Sequence, residues 1–280
     1  MTSRSRRAAA LALAALAVAV TPGRSALAGV SVHGSLTHEN QVAAGDSYGG
    51  TITLANTGGS EEAVRIYGTD YLYYCDGTCR YDESCRHARS NAGWLTFEPH
   101  EITIPPGATA SVSYRVAVPG DSTLTGTYWS VLMVEVAGEP GQAADESGAR
   151  IGITQVLRYG IQVVTNIEDS GERQLDFVET RVLRDGDQRG LQVDLENIGQ
   201  RWLRPTLWTE IYDSSGDLVG NFEGGTLRIY PGTSVRFNID LSPIEPGDYK
   251  AVVVADCGGD DIFGVAYTLR FEDEKLTRGR

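Results

Sequence analysis

Residues 150–167 read RIGITQVLRYGIQVVTNI, and this stretch decides the fold. Its odd positions Ile151, Ile153, Leu157, Tyr159, Ile161 and Val163 are apolar, interrupted only by Gln155. The even positions mix Gly152, Thr154, Arg158, Gly160 and Gln162 with two valines. A repeat of two puts alternate side chains on opposite faces of an extended chain, so the segment predicts a β-strand. At about 3.3 Å per residue it would reach over roughly 50 Å, long for one strand. It therefore predicts a strand that closes one domain and leads towards another.

Upstream, the alternating runs 48–56, 63–74 and 108–119 and the nearly continuous apolar run 128–136 (YWSVLMVEV) predict further strands. The last of these is of the kind buried on both faces. They are punctuated by Asn56-Thr57-Gly58-Gly59 and Pro105-Pro106-Gly107, residues that accept positive φ or fix a bend. Residues 75–91 and 138–148 are polar and predict loops.

Downstream, the grammar repeats. Residues 191–199 (LQVDLENIG) answer 51–58 (TITLANTG), YPGT at 230–233 answers PPGA at 105–108, and PGDY at 246–249 answers TGTY at 125–128. Three anchors in one order make a repeat, so the chain predicts two β-sandwiches, 29–167 and 168–272, with a polar tail over 273–280. From Asn56 to Pro106 there are 50 positions, against 34 from Asn197 to Pro231. The 16 extra residues match the cysteine-bearing loop, which reads as an insertion into a plain sandwich.

The first 28 residues carry Arg4, Arg6 and Arg7, an apolar run over 8–20 and Ala26-Leu27-Ala28. This is the pattern of a secretory signal peptide, and its apolar run is too short to span a bilayer core of about 30 Å. An exported mature chain without a membrane span follows, in the periplasm or at the cell surface. The leader holds four arginines and no acid, so the net charge of −13 becomes −17 without it. That charge disfavours nucleic acid and anionic lipid as partners.

Cys75, Cys79, Cys85 and Cys257 are the only cysteines, and an even count in an exported chain predicts disulfides. Each of the three full pairings ties one loop cysteine to Cys257, an interdomain staple. The competing readings are a metal site from Cys75, Cys79, Cys85 and His87, whose spacing matches no common zinc pattern, and a free thiol at Cys257. Asp256, Asp260 and Asp261, or Asp185 and Asp187, offer oxygens in glycine-rich turns but lack the glutamate of a calcium loop. His33, His38, His87 and His100 lie apart, and no nucleophile elbow, zinc-helix motif or phosphate-binding glycine loop occurs. The expectation is a protein that is not an enzyme and takes no cofactor.

The Asn-Thr-Gly turn after 52–56, the segment 94–99, Pro105-Pro106-Gly107 before 112–119, the run 126–136 and the long strand 151–163 together resemble the immunoglobulin-like domain of the periplasmic pilus-assembly chaperones, the PapD-like superfamily. The resemblance covers about 135 residues and is one of pattern. It implies an all-β chain of two tandem immunoglobulin-like β-sandwich domains. In that family the long last strand of the first domain is an edge that donates alternate apolar residues to an unfinished subunit, a form of strand addition. Ile151, Ile153, Leu157, Tyr159, Ile161 and Val163 would play that part here, with exported protein subunits as partners. The family also holds the subunit's terminal carboxylate with two basic residues. Arg158 matches the second, and no Arg or Lys stands between Gly29 and Arg65 to match the first. The alternative function is a structural or adhesive cell-surface protein.

Overall fold

The structure is a computed structural model that describes residues 29–136, 140–144, 150–154, 156–185 and 188–271, with 140–144 and 150–154 as backbone. The signal-peptide residues, the polar tail and Gln155 lie outside the described residues. Among those described the chain is all-β, with one 3-10 turn at Ala92–Trp94. Among the described residues no helix is long and apolar enough to cross a membrane.

The first half opens with β1 (Val30–His33), β2 (Thr37–Val42), β3 (Ser47–Asn56), β4 (Glu62–Tyr73), β5 (Cys79–Asp82) and β6 (Leu95–Glu98). It continues with β7 (Glu101–Ile104), β8 (Thr109–Ala117), β9 (Gly126–Val136), β10 (Pro140–Ala144), β11 (Arg150–Thr154) and β12 (Leu157–Ile167). One sheet has the order β1-β3-β8-β6, and the facing sheet has β2-β12-β9-β4-β5, with β7 also on β4. The first strand thus divides between the two sheets, β1 in one and β2 in the other, which is the layout of an immunoglobulin-like sandwich. Alternation drives the packing. Val112, Tyr114 and Val116 of β8 point inwards while Ser111, Ser113 and Arg115 face solvent. They meet Ile52 and Leu54 of β3 and, across the sandwich, Val64, Ile66, Leu132, Val134, Ile161 and Val163.

The second half is built from β13 (Leu175–Asp185), β14 (Gln188–Asn197), β15 (Thr206–Tyr212), β16 (Leu218–Thr226), β17 (Ser234–Asp240), β18 (Gly247–Asp256) and β19 (Ile262–Phe271). Its sheets are β13-β14-β17 and β16-β15-β18-β19. They close over a separate core of Leu191, Val193, Leu195, Leu207, Phe237 and Val253, among others. The chain is therefore two tandem immunoglobulin-like sandwiches, each burying its own apolar face.

The repeat read from the sequence holds down to single hydrogen bonds. Asn56 donates from Nδ2 to the Ile104 carbonyl at 2.8 Å and accepts the Gly58 N–H at 2.9 Å; Asn197 donates to the Ile229 carbonyl at 3.0 Å and accepts the Gly199 N–H at 2.9 Å. Their backbone carbonyls accept the N–H of Gly107 and Gly232, whose φ values of 73° and 74° only glycine adopts without strain. Each asparagine is almost wholly buried and ties the start of the corner after the second strand to the proline-glycine turn.

Three local expectations are corrected. The stretch 150–167 is two strands, not one: β11 ends at Thr154 and β12 begins at Leu157. The polar stretch 138–148 contains β10, which pairs with β11 as a separate two-stranded ribbon, Pro140 opposite Thr154 and Ala144 opposite Arg150. The cysteine loop contains β5, which extends the β4 edge from Asp70 opposite Asp82 to Tyr73 opposite Cys79.

Candidate functional site

β12 runs antiparallel to β9 along its whole length, from Leu157 opposite Val136 to Ile167 opposite Gly126. On its other side β2 pairs with it in parallel, but only from Gln162 to Ile167. The reason lies in the corner before β2, where Gly34 takes φ 98° and the Ser35 hydroxyl accepts the Thr37 N–H at 3.0 Å. The chain reaches the sheet at Leu36, whose carbonyl accepts the Gln162 N–H at 2.8 Å. Ahead of that point, Leu157 to Ile161 has no second partner among the described strands. Peptide groups of a strand point alternately to its two sides. Since Gln162 points towards β2, the N–H and C=O groups of Arg158 and Gly160 point towards the open side. This is a short unpaired edge.

The inward face of β12 corrects the binding face expected from period two. Ile161 and Val163 are fully buried in the first domain's own core, under Leu132 and Val134 of β9, and are not available to a partner. Leu157 and Tyr159 pack on the rim of the same core and stay partly exposed; the Tyr159 hydroxyl donates to the Val30 carbonyl at 2.8 Å. Ile151 and Ile153 belong to β11 and pair with β10, and their side chains lie outside the described residues. Of the expected face, the structure brings Leu157 and Tyr159 to the open edge, with Val156 exposed just ahead of them.

The outward face of the same edge is charged. Arg158 donates from Nε to Glu135 Oε2 at 2.6 Å, and the Tyr67 hydroxyl donates to the same oxygen at 3.1 Å. The Arg158 bond holds the Glu135 carboxyl below the usual carboxylate range, and Glu135 in turn raises the Arg158 guanidinium. Arg65 stands opposite Glu135 on β4 and lies 5.2 Å from the Tyr67 ring centre. Arg158 is thus already half of an ion pair rather than an isolated basic clamp.

Where β12 is paired on both sides, its outer face meets the second domain. Trp129 of β9 stacks on Tyr230 with ring centres 4.6 Å apart and planes 9° apart. The Tyr230 hydroxyl donates to Gln162 Oε1 at 2.5 Å, and burial pushes this phenol up to about 12. Glu39 of β2 accepts from Trp202 Nε1 and Asn166 Nδ2, both at 2.7 Å, and pairs with Arg228 at 3.0 Å. Arg228 lies 3.8 Å above the Trp202 ring. These contacts join the first domain's β2, β9 and β12 to the second domain. The sequence reading did not find Glu39, Asn166, Trp202 or Arg228, and no spacing could have shown them, because Glu39 and Arg228 are 189 positions apart.

The disulfide expectation is also corrected: Cys75, Cys79, Cys85 and Cys257 are all free thiols, and no interdomain staple forms. Cys79 and Cys85 are exposed, while Cys257 packs half-buried against the second core, where burial and then Asp261 and Asp256 push its thiol up to about 11. The insertion is fastened by other means. Asp70, 1% exposed, accepts the N–H groups of Cys85, Arg86 and His87 at 3.2, 2.6 and 3.1 Å and the Ser90 hydroxyl at 2.5 Å. The Cys75 N–H donates to the Ser234 hydroxyl of the second domain at 3.0 Å, so a backbone-to-side-chain bond ties the insertion to that domain. Among the described residues no group of three or more His, Cys, Asp or Glu is placed to hold a metal ion.

No family model matches the chain, and no curated protein matches it. Among solved structures it is similar to a chain of the chaperone–tip adhesin complex of CFA/I fimbriae biogenesis, at 13% identity and TM-score 0.45, covering 86% of this chain and 98% of that one. It is similar to a chain of the CsuC–CsuE chaperone–tip subunit pre-assembly complex of Acinetobacter baumannii Csu pili, at 15% identity and TM-score 0.42, covering 85% and 98%. A third is the SafA pilin–SafB chaperone complex of Salmonella enterica, at 12% identity and TM-score 0.41, covering 87% and 97%. These structures of pilus-assembly chaperones are what the chain is similar to.

Proposed function

We propose that this chain is a non-enzymatic, exported binding protein, a periplasmic chaperone-like factor that holds an extended segment of a pilus or surface subunit as an added strand. The observation that carries the reading is the half-paired β12: two partners from Gln162 to Ile167, one from Leu157 to Ile161. A guest strand laid beside Leu157 to Ile161 continues the line of β2, takes up the peptide groups of Arg158 and Gly160, and covers the outer sides of Leu157 and Tyr159. Main-chain hydrogen bonds give such binding its affinity and side-chain pockets its selectivity. The subunit class rests on the sequence resemblance, and export rests on the leader pattern of the first 28 residues.

The junction between the domains supports the same reading. With the domains braced by the Trp129–Tyr230 stack and the Glu39 bonds, the edge is presented by a rigid frame, which lowers the ordering cost on binding.

The test is Arg158→Pro. Its ring removes one N–H that points to the open side and leaves the β9 ladder at Leu157 and Tyr159 in place, a substitution edge strands tolerate. Wild-type protein is expected to capture subunits from the exported fraction of its native host, and the variant, unfolding at a similar midpoint, to lose them. If a folded variant keeps the same partners, the edge is not the site. The chain would then be read as a structural or adhesive cell-surface protein of immunoglobulin-like domains.

A further inference from the structure

Four strands of the first domain line up one residue each on the outer face. Glu101 of β7 stands opposite Arg65 of β4, Arg65 opposite Glu135 of β9, and Glu135 opposite Arg158 of β12. The row reads acid, base, acid, base, and it ends in a base at the open edge. Neighbouring strands lie about 4.8 Å apart, so Arg65 and Glu135 each have an opposite charge on either side, while Glu101 and Arg158, at the two ends of the row, have one on one side only. The Arg158 side chain is 55% exposed and, among the described residues, gives only Nε to Glu135.

The next row inwards has a different character. Gly160 stands opposite Met133, and Met133 opposite Tyr67. A Cβ on Gly160 would lie 3.2 Å from Val131 Cγ1 and 3.5 Å from Met133 Sδ, so these two apolar side chains line the space over the glycine. A guest side chain at that level meets carbon and sulfur. On the inner face, the guest residues in between lie beside Leu157 and Tyr159.

We infer that the segment added at this edge carries an acidic side chain opposite Arg158 and an apolar one two residues along, opposite Gly160, with apolar residues on its inner face. This deepens the strand-addition reading and rests on it. The occupant is an internal extended segment of an exported chain with one carboxylate side chain among apolar neighbours. A basic residue at that position would repeat the sign of Arg158 and be disfavoured. The preference is local, because the chain's net charge of −13 works against acidic guests in general.

The experiment pans random displayed peptides against the whole protein and then compares synthetic Glu and Gln versions of the selected sequences. Binding at the edge is scored by hydrogen-exchange protection of the Arg158 and Gly160 amides. Selected peptides are expected to hold Asp or Glu at one fixed position of an apolar pattern, and the Glu version to bind roughly two- to fivefold more tightly than the Gln version, the range of a cross-strand charge pair. The preference should vanish in Arg158→Gln. It should turn to Lys or Arg in the exchange Arg158→Glu with Glu135→Arg, which keeps the pair between β12 and β9 and so guards against simple unfolding. Peptides that protect both amides but show no acidic preference, or keep it in Arg158→Gln, overturn the inference and leave the edge reading standing. If no selected peptide protects those amides, the edge reading itself falls, and this inference with it.

Discussion

Asp70→Asn should detach the cysteine-bearing insertion. The wild-type carboxylate lies in β4, almost wholly buried, and accepts three consecutive backbone N–H groups and the Ser90 hydroxyl. An asparagine offers one acceptor oxygen and turns an NH2 group towards donors, so at least two of these partly buried donors lose their partner. At about 1–3 kcal/mol for each unsatisfied group, the loss comes to about 2–6 kcal/mol. That is a large part of the ~5–15 kcal/mol that holds an ordinary domain together. The cost can be relieved by letting the insertion swing out, which strips His87 from its place 4.5 Å from Trp129 and frees Arg89 from the Thr125 carbonyl. Trypsin, cutting at Arg86 and Arg89, reads the swing, and urea unfolding reads the global loss. The variant should be cleaved there well before wild type and should unfold at lower urea. A loss under about 1 kcal/mol with unchanged cleavage would refute the argument that this carboxylate, rather than a disulfide, fastens the insertion.

Other perturbations follow from the same contacts. Tyr48, partly buried, and Tyr230, fully buried, are held as neutral phenols, both raised to about 12 by burial. Their contribution is fully present below the unfolded value of 10 and is lost as pH rises towards 12, by about 2–3 kcal/mol each, so Tm should fall steeply over that window. A flat Tm from pH 9 to 12 would contradict this. In native reduced protein, thiol reagents should modify Cys79 and Cys85 quickly and Cys75 and Cys257 slowly, and two oxidised pairs resistant to reagent would contradict the arrangement. Asn56→Ala and Asn197→Ala should each cost about 2–4 kcal/mol, because each leaves buried carbonyls and an N–H unpaired in its own domain. A neutral result at either position, measured by denaturant unfolding, would break the equivalence of the two corners.

Much of the architecture was legible because it is local. Period two marks β3, β8 and β12, and the Asn-x-Gly and Pro-Gly turns are bound by side-chain and glycine geometry, so their repetition predicted a repeated corner and the structure repeats it bond for bond. The continuous apolar run of β9 also meant what it usually means: Val134 and Val136 face the sandwich core while Val131 and Trp129 are covered on the other face. What period two cannot say is where an apolar face points. Ile161 and Val163 satisfy a binding face and a core face equally in sequence, and only the pairing of β12 with β9 assigns them to the core. The same holds for the thiols. Counting four cysteines in an exported chain suggests two bonds, but a buried carboxylate 15 positions before Cys85 does the fastening, and nothing in the spelling of 70–90 marks Asp70 as buried. The junction was invisible for the simplest reason, since Glu39, Trp202 and Arg228 meet only after both domains have folded.

The central claim is that peptide groups of β12 ahead of Gln162 wait for a strand from another chain, and amide hydrogen exchange at single-residue resolution tests it most directly. In the free protein the amides of Arg158 and Gly160 should exchange quickly, while that of Gln162, bonded to the Leu36 carbonyl at 2.8 Å, should be protected. In the complex with a captured exported subunit, Arg158 and Gly160 should become protected to the level of Gln162. A complex of the same subunit in which both amides exchange as fast as in the free protein would contradict the account.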